Sequence, residues 1–179
     1  SKPARGSNGV GITYIRVPRD FKKGVDIARN FDGRVVVEKY HQPAQLFECN
    51  VIEDEKGKPV LSAIIQTNWN EKDRIFNFIS RTDASSYSFS KLTSLDPEVV
   101  KLVHDYAKRA FEVLKMSGYA QIEFMVDQEG ELLLVEVNCQ PYFGKDGSFA
   151  LSWEEAGISY PDLIERIVKE ALDRPVGLI

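Results

Sequence analysis

Apolar residues recur at the three- and four-residue spacing of an amphipathic helix most clearly in residues 97–116. Asp96 and Pro97 supply an N-cap and a first-turn proline, and Gly118 follows the last apolar position. These signals predict a helix that ends at Met116. Its inward face is predicted to consist of Val99, Val103, Tyr106, Ala107, Ala110, Phe111 and Leu114.

Two further helices and several strands are predicted from the same kind of pattern. A short helical pattern covers residues 18–30, although Gly24 weakens it, and a longer one covers residues 160–173. The predicted strands are residues 35–40, 46–52, 60–67, 119–126 and 132–137. We expect the first two of these strands to pair antiparallel and the last two to form a hairpin.

A polar segment with scattered aromatic residues separates the third predicted strand from the long helix. It covers residues 68–94, and we predict a long loop there with one strand over residues 75–80. A loop of this length in a compact domain is more often a functional lid than a simple connection.

The predicted hairpin brings two acids together. If Glu129 and Gly130 form a two-residue turn, Glu123 lies opposite Glu136, and Gln121 lies opposite Asn138. Side chains alternate between the faces of a strand, so the opposite face is apolar. Its predicted members are Ile122, Phe124, Val126, Leu133, Val135 and Val137.

Glu123 and Glu136 leave three interpretations open. Like charges opposed on neighbouring strands are destabilising, and a Mg²⁺ ion held by carboxylate oxygens offsets that repulsion. A solvated acidic face is the more common arrangement for hairpin acids, and a protonated, hydrogen-bonded pair is a third possibility. The spacing alone does not choose among them.

Composition narrows the functional classes. The chain has 179 residues, 43% of them hydrophobic, which suffices for one core or for two subdomains that share a cleft. Its formal charge of −4 and the lack of a basic stripe argue against nucleic-acid binding. No apolar run approaches membrane-spanning length, so we expect no membrane partner and a cytoplasmic setting. Cys49 and Cys139 lack zinc-like spacing and are expected to be reduced.

The first residues of the chain and the strand at 35–40 carry two weaker signals. Lys2 precedes a glycine- and serine-rich loop that resembles a phosphate cradle, although such loops are more often simple turns, and the order of a Walker A loop is absent. Residues 38–41 end a strand where the backbone can bond an adenine edge or merely meet solvent. Because the chain starts inside this loop, we expect it to be part of a longer protein.

Taken together, these segments resemble the ATP-grasp superfamily, and more closely its D-alanine–D-alanine ligase branch. Residues 2–11, Lys-Pro-Ala-Arg-Gly-Ser-Asn-Gly-Val-Gly, are similar to that branch's lysine-proline strand end and glycine-rich loop. Residues 35–40 resemble its adenine-binding strand, and residues 121–124 and 134–141 resemble its two magnesium-bearing strands. The ending over residues 155–164 is similar to the helix that follows the substrate loop.

The resemblance implies an α+β ATP-grasp fold whose antiparallel sheets and flanking helices form two subdomains that clasp ATP. The small subdomain would cover residues 1–54, without its upstream segment, and the C-terminal subdomain with the metal-binding hairpin would cover residues 55–179. The implied cofactors are ATP and one or two Mg²⁺ ions, with Mn²⁺ as an alternative metal.

The resemblance also implies a role for individual residues. Lys2, Ser7 and Ser148 are implied to be catalytic, with Ser148 contacting the acceptor's carboxylate. Glu123, Glu136 and Asn138 are implied to bind the metal. The residues implied to contact ATP are Lys2, Gly6, Ser7, Asn8, Gly9, Glu38, Lys39, Tyr40, His41 and, at the ribose, Glu48.

The activity implied is that of an ATP-dependent ligase that joins an amino-acid-type carboxylate and amine through an acyl phosphate, and a homodimer is compatible with it. Gln121 stands where the D-alanine branch has an arginine, and residues 141–148 differ from the branch's substrate loop, which predicts a different acceptor pocket. The lid charge would come from Lys72, Arg74 or Arg81. The alternative function is a nucleotide-binding regulatory module that has lost its chemistry.

Overall fold

The computed structural model describes residues 1–6, 9–69, 87–92 and 95–173. The chain divides into two compact units, Ser1–Gln42 with Asn68–Ser88, and Pro43–Thr67 with Phe89–Ile179. The predicted subdomain boundary between residues 54 and 55 falls in a turn of the second unit, and it stays a prediction. The predicted strand at 75–80 and the three lid cations lie outside the described residues.

The first unit contains a short antiparallel pair of strands and one helix. Strand β1 (Lys2–Pro3) pairs with β2 (Val35–Val36), so Lys2 lies opposite Val36. The predicted pairing of residues 35–40 with residues 46–52 is therefore wrong, because the second of these segments takes both of its partners from the second unit.

Helix α1 (Phe21–Arg29), which a 3₁₀ turn at Pro18–Asp20 precedes, confirms the helix predicted over residues 18–30. Gly24 is buried in it, and a Cβ there would lie 2.9 Å from the Ile15 side chain. The glycine that weakens the helical pattern is thus the residue that lets Ile15 pack against the helix.

The second unit is built on a five-stranded sheet in the order β5-β4-β3-β6-β7. Its strands are β3 (Pro43–Glu53), β4 (Pro59–Trp69), β5 (Tyr87–Lys91), β6 (Tyr119–Asp127) and β7 (Leu132–Asn138). Strand β3 pairs antiparallel with both β4 and β6, and β6 pairs antiparallel with β7. Strand β5 lies in the segment predicted to be a loop, and it was not predicted.

Helix α2 (Pro97–Val113) packs on the sheet through Val103, Ala107 and Phe111. Its start is as predicted, because the Asp96 carboxylate accepts a 2.8 Å hydrogen bond from the Glu98 backbone N–H. The core that the helix covers also contains Phe47, Cys49, Val51, Ile64, Ala120, Ile122 and Phe124.

The predicted end and face of α2 need correction. The helix ends at Val113, because Lys115 adopts a left-handed φ of 51° and the Met116 N–H bonds the Phe111 carbonyl. This is a Schellman motif, formed three residues before the predicted glycine stop. Tyr106 and Leu114 were predicted to face inward, but they are 41% and 58% exposed.

Two helices follow the hairpin. Helix α4 (Tyr160–Asp173) confirms the last predicted helix, although Val168, one of its apolar positions, is 52% exposed. Helix α3 (Ser148–Glu155) was not predicted, since eight residues are too short to display a helical period. A second core joins these helices to the sheet through Ile52, Phe149, Trp153 and Leu163.

The β6–β7 hairpin has the predicted register at its acids but not the predicted turn. The Asp127 N–H bonds the Glu131 carbonyl, so the loop has three residues, with Gly130 at a φ of 85°. A bulge at Val135 absorbs the extra residue, and Glu123 still lies opposite Glu136, as Gln121 does opposite Asn138.

The bulge also changes the apolar face of the hairpin. Leu132 and Val137 pack against the core beside the β6 residues, whereas Val135 is 39% exposed. The prediction that Val135 and Leu133 belong to this face is therefore wrong, because the bulge shifts the alternation of β7 by one residue.

In the part of the chain that the structure describes, no helix combines the length and the apolar character needed to cross a membrane.

We predict that Val103→Ala and Val113→Ala, two identical changes on α2, affect stability differently. Val103 is fully buried, so its truncation should lower the free energy of unfolding by about 2 kcal/mol. Val113 is 69% exposed, and its truncation should change that free energy by less than about 0.5 kcal/mol. Urea denaturation of both variants measures the difference, and equal losses would contradict the packing described for α2.

The two cysteines should differ in reactivity. Cys49 is buried, and burial together with the nearby Glu48 charge raises the pKa of its thiol from 9.0 to about 12, whereas Cys139 is exposed. At pH 8 a thiol reagent should label Cys139 rapidly and Cys49 only in denaturant, as peptide mass spectrometry can measure. Rapid labelling of Cys49 in the native protein would argue against its burial.

Because folding favours the neutral Cys49 thiol, the contribution of this residue to the free energy of unfolding should fall as the pH rises from 9.0 towards 12.

Candidate functional site

Two rows of polar residues cross the three neighbouring strands β3, β6 and β7. Glu123 lies opposite Glu48 on one side and Glu136 on the other. Two residues along, Gln121 lies opposite Asn50 and Asn138. Paired residues and residues two apart share a face of a sheet, so all of these side chains lie on one face. We call it the acid–amide face, and its members are Glu48, Glu123, Glu136, Asn50, Gln121 and Asn138.

The buried end of the acid–amide face is centred on Glu48, which is 3% exposed. One of its carboxylate oxygens accepts a 2.8 Å hydrogen bond from the Asn50 amide, and the other accepts a 2.7 Å bond from the Gln121 amide. Burial raises the pKa of the Glu48 carboxyl, and hydrogen bonds from Asn50, Ser148 and Gln121 oppose that rise. The predicted ribose contact of Glu48 stays a prediction.

Helix α3 is tied to this face by two serines. The Gln121 amide nitrogen lies 3.2 Å from the Ser148 hydroxyl oxygen, at the first residue of the helix. One turn later, the Ser152 hydroxyl accepts a 2.9 Å bond from the Asn50 amide and donates a 2.7 Å bond to the Phe149 carbonyl. The structure therefore brings Ser148, a predicted site residue, to the same face as the predicted metal ligands.

The more open end of the face carries the three predicted metal ligands. Glu136 is exposed, while Glu123 and Asn138 are half-buried. The Asn138 side-chain oxygen accepts a 2.9 Å bond from the Gln140 backbone N–H, and its amide nitrogen lies 3.4 Å from the Gln121 oxygen. Two carboxylates and one amide oxygen form the all-oxygen donor set that Mg²⁺ or Mn²⁺ takes, so the residues fit such an ion.

The loop before α3 has a conformation that depends on its glycines. The Tyr142 side chain lies against Gly144 and Gly147, and a Cβ at either glycine would collide with it. The Tyr142 hydroxyl donates a 3.1 Å hydrogen bond to Asp146, although the ring is 68% exposed. This arrangement gives the loop leading to Ser148 a defined shape.

In the first unit, Lys2 and Glu38 form an ion pair of 2.7 Å between half-exposed side chains. Lys2 was predicted to bind phosphate and Glu38 to contact adenine. Both assignments stay predictions, and the structure places the two side chains side by side. Lys39 and Tyr40 are exposed on the same segment, and His41 is half-buried.

The glycine-rich loop is described only in part, because Ser7 and Asn8 lie outside the described residues. Gly9 adopts a φ of 71° and Gly11 a φ of 75°, which favours glycine at both positions. A Cβ at Gly11 would lie 2.7 Å from the Phe31 ring, but nothing lies within 4 Å of a Cβ at Gly6. The backbone conformation of the loop and its packing against Phe31 therefore require glycines whether or not a ligand is bound.

An aromatic pair lies beside these residues and was not predicted. The Tyr14 and Tyr40 rings have centroids 4.3 Å apart, and the Arg16 guanidinium lies 5.4 Å from the Tyr14 centroid. Tyr40 is a predicted nucleotide residue. No local pattern indicated Tyr14, because its contact with Tyr40 is made across the unit rather than along the chain.

Glu48 and Asn50 are the members of the acid–amide face that were not predicted to lie there. Their position depends on the pairing of β3 with β6, which joins segments about seventy residues apart. A hairpin reveals its register locally, but a pairing over that distance leaves no local signal.

Curated relatives match nearly the whole chain. The D-alanine–D-alanine ligase of Bradyrhizobium sp. is 29% identical over 178 residues, which cover 99% of this chain and 48% of that protein. The enzyme of the same name from Bacillus pumilus is 30% identical over 173 residues, which cover 97% of this chain and 47% of that protein. The chain thus spans about half the length of the curated relatives it matches.

Solved structures share the fold. The D-alanine–D-alanine ligase from Coxiella burnetii has a TM-score of 0.79 at 23% identity and covers 97% of this chain and 44% of its own. D-alanyl-alanine synthetase A from Vibrio cholerae has a TM-score of 0.81 at 23% identity and covers 96% of this chain and 52% of its own. The Bacillus anthracis ligase, solved in complex with ATP, has a TM-score of 0.71 at 23% identity, with coverages of 89% and 50%.

These likenesses confirm the predicted α+β ATP-grasp fold. Both of these curated relatives carry the name of a ligase. A family model described as "D-ala D-ala ligase C-terminus" matches residues 1–169, which is almost the entire chain. The match, the fold and the resemblance of the motifs agree: the chain belongs to the D-ala D-ala ligase C-terminus family.

Proposed function

We propose that this chain is the nucleotide- and metal-binding half of an ATP-dependent carboxylate–amine ligase. The observation that carries the proposal is the acid–amide face, where in-register strands gather acids and amides beside Ser148 in a chain of this family. The substrates proposed are an amino-acid-type carboxylate and an amine. The homodimer stays a prediction.

For the nucleotide, we propose the residues of the first unit that the resemblance implies. Lys2 would neutralise phosphate charge, and Glu38, Lys39, Tyr40 and His41 would lie along the adenine. The complex of the Bacillus anthracis ligase with ATP supports a nucleotide as the ligand. Gly6, Ser7, Asn8 and Gly9 would cover the phosphates with backbone N–H groups.

For the metal, we propose Glu123, Glu136 and Asn138. When bound, Mg²⁺ neutralises phosphate oxygens that gain charge during phosphoryl transfer. The two carboxylates, which oppose each other in register, would repel in the absence of a cation. Their arrangement is consistent with a divalent cation as the ligand of this face.

The proposed reaction forms an amide in two displacements. The substrate carboxylate attacks the γ-phosphorus of ATP and ADP leaves, which gives an acyl phosphate. The amine nitrogen then attacks the acyl carbon, phosphate leaves with its bonding electron pair, and the amine loses a proton. The chain's residues contribute positioning and charge neutralisation, with Ser148 oriented towards the acceptor.

The proposal predicts that ADP release by the full-length protein depends on Mg²⁺ and on a carboxylate substrate, and that an amide product forms only when an amine is also present. A panel of D- and L-amino acids and simple amines, followed by coupled ADP detection and mass spectrometry of the product, measures this dependence. A product whose mass equals that of its two substrates less one water is the expected result. ATP binding without turnover across the whole panel would instead support the regulatory module.

We predict that Glu136→Gln abolishes most of the stabilisation by Mg·ATP. A ligand at about 100 times its Kd stabilises the native state by about 2.7 kcal/mol, and the loss of one metal-binding carboxylate should remove most of that gain. Glu129→Gln, at the tip of the same hairpin, is the matched control and should retain it. Thermal unfolding with and without Mg·ATP measures both variants, and an unchanged shift in Glu136→Gln would refute the metal assignment.

A further inference from the structure

The Gln121 side chain connects two other members of the acid–amide face, Glu48 and Asn138, with Ser148 on helix α3. Its amide nitrogen donates a 2.7 Å bond to Glu48 and lies 3.2 Å from the Ser148 hydroxyl oxygen. Its amide oxygen lies 3.4 Å from the Asn138 amide nitrogen. One side chain therefore contacts both Ser148, the residue proposed to bind the acceptor substrate, and Asn138, a proposed metal ligand. The orientation of the Gln121 amide sets both contacts.

Glu48 fixes that orientation. The Asn50 amide donates to one of its carboxylate oxygens, and the Gln121 amide donates to the other. Donors at both oxygens of one buried group favour a side chain whose two terminal atoms both accept hydrogen bonds, and a carboxylate is such a group. The two hydrogens of the Gln121 nitrogen are thereby directed to Glu48 and Ser148, and its oxygen is left for Asn138.

We infer that Glu48 is a positioning residue that holds the Gln121 amide and, through it, keeps Ser148 and Asn138 in the geometry that the reaction needs. The inference rests on the proposed function. It replaces the ribose contact as the role of Glu48, because both carboxylate oxygens already accept hydrogen bonds from residues of the same unit.

The Glu48→Gln variant tests this inference, since it keeps the size of the side chain but introduces a donor. The new amide nitrogen must face the nitrogen of either Asn50 or Gln121. Turning the Gln121 amide to relieve the conflict places its nitrogen against that of Asn138. Turning the Asn50 amide instead disturbs its bond to Ser152 on helix α3.

In the full-length protein, Glu48→Gln should raise the acceptor KM or the half-saturating Mg²⁺ concentration about 10- to 100-fold. The affinity for ADP in the presence of EDTA, measured by calorimetry, should stay within about twofold, because the positioning role does not involve the ribose. A ribose contact predicts the opposite pattern, namely weaker ADP binding with the acceptor KM and the Mg²⁺ requirement unchanged.

A double variant, Glu48→Gln with Gln121→Glu, separates positioning from a failure to fold. In it the amide introduced at position 48 can accept from Asn50 and donate to the carboxylate introduced at position 121. The Asn138 amide and the Ser148 hydroxyl can donate to that same carboxylate. All of the hydrogen bonds are then satisfied again, so the double variant should recover to within about fivefold of wild type. Glu53→Gln is the matched control on the same strand, where the Glu53 carboxylate accepts from the Gly118 backbone N–H outside the acid–amide face.

Each result decides the question. The positioning role is supported if Glu48→Gln raises the acceptor KM or the Mg²⁺ requirement and the double variant restores it. The role is overturned if Glu48→Gln changes neither quantity, or if it weakens only ADP binding. It is also overturned if the double variant is no better than the single one. If the wild-type protein itself shows no Mg²⁺-dependent ADP release, the proposed function fails. If the wild type is active and only the Glu48 results disagree, this inference alone fails.

Discussion

The antiparallel pairing of β3 with β6 is the constraint on which the second unit depends. It places Glu48 opposite Glu123 and Asn50 opposite Gln121, and so extends the hairpin's polar residues into two rows across three strands. The same pairing sends Phe47 and Phe124 to the opposite face, where their rings lie 6.2 Å apart in the core under α2. Burial of that apolar face fixes the register, because a slip by one residue would bury acids and expose aromatic rings.

The polar groups of the acid–amide face are buried at one end of the face and exposed at its opposite end. Helix α3 covers the end that holds Glu48 and Asn50, and there the Glu48 carboxylate accepts from two amides while the Asn50 amide also donates to Ser152. Burial without such partners would cost several kcal/mol for a charged group. The hydrogen-bonded end therefore holds the side chains of the open end in place, which suits the cation binding that we propose for this face.

In the hairpin, the pairing of the two acids was predicted correctly from a turn that was predicted wrongly. The predicted two-residue turn has three residues, and the bulge at Val135 restores the pairing of Glu123 with Glu136. Loop length and bulge compensate each other because the rest of the register is set by packing against β3 and α2. The apolar side chains beside the bulge, which lie outside that packing, are the ones whose predicted face is wrong.

The sequence by itself determined the helices α1, α2 and α4 and the opposition of Glu123 to Glu136, since helical periodicity and hairpin register are local properties of the chain. The α+β class followed from the resemblance of its motifs. Only the tertiary structure decided that β3 lies beside β6, that α3 exists, and that Glu48 and Asn50 complete the acid–amide face. The stop of α2 at Lys115 and the packing of Gly24 against Ile15 were likewise decided by three-dimensional context. The physical reason is that a pairing between distant strands is selected by the apolar surface that the whole sheet buries, and that surface is not a property of any one segment.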